Sequence, residues 1–131
     1  MIPEPTVNLT SELQAFLQAD GFRTLVDLFY DRVSQHPDLI PIFPEDFTEV
    51  REKQYCFLTQ FFGGEPLYSQ TYGPPSMMRI HSEHPITPRR AKAWLWCMKD
   101  TLEHLDIHEA LRKFFYDRLA MVAQNFINTS E

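Results

Sequence analysis

The chain has 131 residues, a net charge of −6 at neutral pH and a pI near 5.3, which is one domain's length and enough to bury a core without staples. Nucleic acids are gripped by clustered Lys and Arg, so the acidic balance speaks against such a partner. No apolar run is long enough to span a bilayer and the N-terminus is not signal-like, so a soluble, cytoplasmic protein with no membrane partner is expected.

Cys56 and Cys97 lie far apart with no metal spacing, predicting neither a zinc site nor a disulfide framework. Eleven Phe, five Tyr and two Trp make the chain 14% aromatic while Gly numbers only 4. So many rings are suited either to wedging a helical core or to walling something flat.

After Pro3 and Pro5, Thr10 or Ser11 starts a short helix through Gln18. Asp20-Gly21 breaks it, and Phe22, Leu25, Val26, Phe29, Tyr30 and Val33 then recur at helical spacing, predicting an amphipathic helix over 21–35. Tyr30 falls on the apolar face, where its hydroxyl needs a partner or a cavity. His36-Pro37 ends that helix, and LIPIFPED forms a tight corner from which Phe43 projects. Thr48 is placed to cap the next helix, whose buried stripe is Val50, Gln54, Phe57, Leu58 and Phe61. Gln54 is the odd member, a polar amide among apolar neighbours. Gly63-Gly64 stops the helix, and GGEPLYSQTYGPP reads as the longest irregular loop.

His81 lies shortly before Pro85, which interrupts a helix and pushes its predecessor out of the α region. Thr87 then caps a new helix from Pro88 to about Glu103, with Ala91, Trp94, Leu95, Met98, Leu102 and Leu105 on one face. Asp106 with Glu109 resembles a capping box for a last helix to about Asn125, which buries Leu111, Phe114, Phe115, Leu119, Val122 and Phe126. No segment alternates with period two, so the fold class is all-α, a single domain with residues 1–19 as an extension and short first helix. Phosphate-binding, dinucleotide and hydrolase signatures are missing. His81 and His84 are three apart but have no carboxylate or thiolate spaced to help, and His104 and His108 are four apart but Asp106 starts a new helix between them.

Taken together, FYDRV at 29–33, PIFPED at 41–46, REKQ followed by FLTQFFGG through 64, PLYS at 66–69, and a His followed by PITPRRAKAW through 94 resemble the group II truncated haemoglobins. The resemblance implies a truncated globin fold, a two-over-two helical sandwich around haem b, with His81 as the proximal iron ligand. It implies Tyr30, Trp94, Gln54 and Val50 on the distal side, and Phe43, Lys53, Phe57, Tyr68, Arg79 and Met98 as further haem-binding residues. Lys53 takes a basic position able to reach a propionate. Around His81 the pattern departs: the family carries arginines three and one residues before the histidine, where this chain has Met78 and Ile80 with Arg79 between them.

The function implied is reversible binding of dioxygen or another diatomic ligand, with slow release suited to redox detoxification or sensing, a reductase as redox partner, and a monomer or homodimer as the assembly. The rivals are a peroxidase or nitric oxide dioxygenase on the same scaffold, and a haem-free helical interaction module in which every ring is core. His81→Gly is expected to lose haem or its native axial ligation while His84→Ala keeps both; absorption and resonance Raman spectra of the two variants check this, and the opposite pattern would exchange the ligand.

Overall fold

Helical periodicity in the sequence is matched by helices throughout the computed structural model, which describes residues 8–74 and 85–130. The elements are α1 (Leu9–Gln18), α2 (Gly21–Val33), a 3-10 turn (Ile40–Ile42), α3 (Thr48–Phe61), α4 (Leu67–Tyr72), α5 (Pro88–Glu103) and α6 (Glu109–Asn125). Among the described residues there is no strand, and no helix is long and apolar enough to cross a membrane. The main helices form two packed pairs, α2 with α3 and α5 with α6, joined where α2 lies on α5; α1 bridges α2 and α6, and α4 rests on α3.

The seam between the pairs is apolar because the predicted stripe of α2 is sealed: Leu25, Val26, Phe29 and Val33 are fully buried, as are Cys97 and Met98 of α5. Charge fixes the register at its edges. Arg32 of α2 donates Nε–H to Asp100 of α5 at 2.6 Å, and Arg51 of α3 reaches back to the Asp27 carbonyl and the Asp31 carboxylate, both at 3.0 Å. At the far end of α5, Arg112 donates to the carbonyls of Leu102, Leu105 and Ile107 at 2.8–3.3 Å. The last turn of a helix leaves such carbonyls without intrahelical partners.

Several local expectations give way to other caps. Asn8, not Thr10 or Ser11, caps α1 by accepting from the Ser11 N–H at 3.1 Å. Thr48 is the first helical residue of α3 rather than its cap, and Asp46 accepts its N–H at 2.9 Å. The Asp106 capping box does not form; His108 caps α6, its Nδ1 accepting from the Ala110 N–H at 3.0 Å. Thr87 does cap α5, accepting from the Arg90 N–H at 3.1 Å, with Pro88 following it as the first helical residue.

The expected loop after Gly63-Gly64 contains α4. Gln60 explains it: its amide donates to the Ser69 hydroxyl at 2.8 Å and accepts the Ser69 backbone N–H at 2.9 Å. Tyr68 packs edge-on against Phe57, so tertiary partners outweigh the turn-rich composition. Phe61, expected in the buried stripe of α3, is 42% exposed and stacks on Phe57, while Phe62 is buried in its place.

α1 docks through an aromatic cluster in which Phe16 meets Phe22 at 4.8 Å and Phe115 at 5.1 Å. The close approach depends on Gly21, because a Cβ there would lie 2.5 Å from the Phe16 ring. Phe16 is buried and packed against Phe22 and Phe115, which leaves its ring little room to move aside. Gly21→Ala is therefore expected to destabilise the protein by roughly 1–3 kcal/mol through overpacking, measured as a lower urea midpoint with a retained helical spectrum.

Candidate functional site

The two helix pairs do not close completely. Between α2, α3, α5, α6 and the Ile40–Ile42 corner lies a cavity of about 240 Å³ with largely apolar walls. Eight of the residues singled out in the sequence line it: Tyr30 from α2, Phe43 from the corner, Val50, Lys53, Gln54 and Phe57 from α3, Tyr68 from α4 and Trp94 from α5. Met98 is fully buried in the α2–α5 seam and does not line the cavity. His81 and Arg79, with His84, lie outside the described residues.

Tyr30 is only 2% exposed. Its ring meets Phe29 at 4.9 Å, Phe43 at 5.9 Å and Phe47 at 5.8 Å. Burial raises its hydroxyl pKa above the usual tyrosine value of 10.0, against a smaller opposite pull from Arg51, whose guanidinium lies 6.0 Å from the ring. The hydroxyl is thus a neutral donor at any ordinary pH. Among the described residues it has no hydrogen-bond partner, and none of their fully sealed polar side-chain atoms lacks one. The Tyr30 oxygen must therefore open onto the cavity that its side chain lines.

Two more donors share that position. The half-buried Gln54 and Trp94 side chains line the same cavity, and neither makes a side-chain hydrogen bond within the described residues. Trp94 is held in place by Phe29, whose ring packs against the indole at 5.1 Å with an interplanar angle of 67°. One apolar cavity therefore carries three neutral donor side chains with nothing among the described residues to receive them.

Two cations also line the cavity. Lys53 is partly exposed, pairs with Glu49 at 3.0 Å and lies 5.5 Å from the Tyr72 ring; its pKa is raised, chiefly by the Glu49 hydrogen bond. Arg90 of α5 donates to the carbonyls of Pro85 at 2.8 Å and Asp38 at 3.3 Å.

Rings on apolar walls, cations and three donors without a partner among the described residues suit a flat apolar molecule with an anionic rim that presents a small acceptor to the donors. Haem with a diatomic ligand has that chemistry, and the residues present fit it.

Leu39, Ile42, Ile86, Arg90, Leu119 and Val122 also line the cavity and were not singled out as site residues. A signal existed for some of them. Arg90 lies one helical turn before Trp94, and Leu119 and Val122 belong to the apolar stripe of the last helix, which reads equally well as core.

The bacterial-like globin family matches residues 17–128 of the chain. A group 2 truncated haemoglobin of Bacillus subtilis is 48% identical over 107 residues, which make up 82% of this chain and 81% of that protein. The crystal structure of the group II truncated haemoglobin from Bacillus anthracis superposes with a TM-score of 0.83 at 45% identity, covering 87% of this chain and 96% of that one. An X-ray structure of a truncated oxygen-avid haemoglobin from Bacillus subtilis gives a TM-score of 0.79 at 47% identity, with 82% and 91% covered.

Because folding raises the Tyr30 pKa, the stability linked to its neutral hydroxyl is complete below pH 10, the unfolded value, and is lost as the pH rises through the folded value. Above pH 10 the unfolding free energy of the wild type is expected to fall more steeply than that of Tyr30→Phe, by about 1.4 kcal/mol per pH unit. Urea titrations from pH 8 to 11 measure the difference, and parallel profiles would show the hydroxyl to be solvated.

Proposed function

This chain belongs to the bacterial-like globin family, among the group II truncated haemoglobins, and from that premise we propose that it is a haem protein that reversibly binds dioxygen or another diatomic ligand. The observation that carries this reading is the convergence of Tyr30, Gln54 and Trp94 on one apolar cavity, with no partner for their donors among the described residues. Haem b, when bound, would supply the ferrous iron that takes up the ligand.

The protein's part is to hold the group and polarise the site. Phe43, Phe57 and Tyr68, which line the cavity, would pack against the macrocycle, and Lys53, paired with Glu49, would turn to a propionate. His81 would hold the haem iron, on the family resemblance. Tyr30 O–H, Trp94 N–H and the Gln54 amide are preorganised to donate to a ligand that gains negative charge, and apolar walls strengthen such bonds by excluding water. Tyr30 stays protonated because burial holds its pKa up. Val50 lines the cavity without offering a donor, leaving small ligands an apolar approach.

A hydrogen bond to a group carrying charge contributes roughly 1.5–3 kcal/mol. Two or three such bonds slow ligand release strongly, which suits redox detoxification or sensing, with a reductase as partner, better than oxygen delivery. The haemoglobin of Bacillus subtilis called oxygen-avid agrees with a retentive pocket in a similar fold. The purified protein is expected to show a Soret band after haem-supplemented expression; its absence would leave the cavity as a gap in a haem-free helical module. In the haem-loaded protein, Trp94→Phe should speed dioxygen release by about tenfold or more, from one lost bond of at least about 1.5 kcal/mol. Stopped-flow release that is unchanged would remove Trp94 from the ligand's surroundings.

A further inference from the structure

Residues 85–87, which lead into α5, are held from two sides. Arg90, one turn inside the helix, donates Nη1–H to the Pro85 carbonyl at 2.8 Å. From the opposite side the chain beyond α6 comes back: the Ile86 N–H donates to Asn128 Oδ1 at 2.8 Å, and the Asn128 N–H donates to the Ile86 carbonyl at 2.9 Å. The two residues thus exchange a pair of bonds as facing residues of antiparallel strands do, with a side-chain oxygen replacing one carbonyl. Ile86 lines the cavity, and so does Phe126, two residues before Asn128.

Asn128 is exposed, lies past the last helix and is not itself part of the cavity wall. Segments beyond the last helix are ordinarily loosely held, so paired bonds from this one to a wall residue are specific. Ile86 also lies only five residues after His81 in the sequence.

We propose that Asn128 is a positioning residue for the prosthetic group: its amide oxygen holds Ile86 against the cavity and thereby sets how firmly haem is retained. The proposal rests on the haem reading above. Asn128→Ala removes the side-chain acceptor and leaves the backbone bond, whereas Asn128→Asp keeps an oxygen in place to accept the Ile86 N–H.

The test follows transfer of haem from the wild-type, Asn128→Ala and Asn128→Asp holoproteins to excess apomyoglobin, together with the ferrous iron–histidine stretching band and the thermal unfolding of each apoprotein. The loss of the bond from the Ile86 N–H predicts haem release about fivefold faster in Asn128→Ala, and a rate within about twofold of wild type in Asn128→Asp. The iron–histidine band should shift in the alanine variant and return in the aspartate variant. A wild type that holds haem, with Asn128→Ala releasing it no faster, overturns the proposal alone; so does release that is equally fast in both variants and follows a lowered unfolding midpoint. A wild type that takes up no haem overturns the haem reading, and the role of Asn128 with it.

Discussion

A tyrosine hydroxyl sealed into a core without a partner would cost on the order of 1–3 kcal/mol, and the arrangement of this protein follows from how Tyr30 avoids that cost by opening onto a cavity. Tyr30 sits on a thoroughly sealed helix face, between Phe29 and the aromatic corner of Phe43 and Phe47. The same face carries Leu25, Val26 and Val33 into the seam with α5. A helix docked so firmly cannot rotate to wet its hydroxyl. The fold leaves a cavity beside it, and Gln54 and Trp94 bring two further donors to that cavity from α3 and α5.

The scaffold around the cavity is held by interactions remote from it. Arg32 with Asp100 links α2 to α5, and Arg51 with Asp27 and Asp31 links α2 to α3. These are the two helix contacts that set the spacing among Tyr30, Trp94 and Gln54. The links are partly exposed and each contributes little to stability. Their value lies in register, because donors must be held to within a fraction of an ångström to act on one small ligand. Phe16, Phe22, Phe62 and Phe115 pack into a cluster of rings, none of which lines the cavity.

Much of this was legible in the sequence where a residue broke a pattern. Tyr30 and Gln54 stood out as polar groups on apolar stripes, and both line the cavity. Thr87-Pro88 announced the start of α5 by local chemistry alone. The sequence was least readable where a distant partner decides the outcome. α4 depends on the Gln60 amide, nine residues before Ser69, and its own composition reads as a loop. The cap of α6 is an imidazole, an acceptor whose role depends on its tautomer and which cap statistics do not favour. Leu119 and Val122 look the same in sequence whether their stripe faces a core or a cavity, and Met98, on an equally apolar face, went to the core.

The central claim is that a small ligand in this cavity meets several hydrogen-bond donors at once. The C–O stretching band of the ferrous carbon monoxide complex reads this directly, because donors to the ligand oxygen draw electron density onto it and weaken the C–O bond. The band is expected well below that of a haem–carbon monoxide complex in a donor-free apolar pocket, moving up when Tyr30, Gln54 or Trp94 is replaced by an apolar residue. A wild-type band at the donor-free position, unmoved by those replacements, would contradict it.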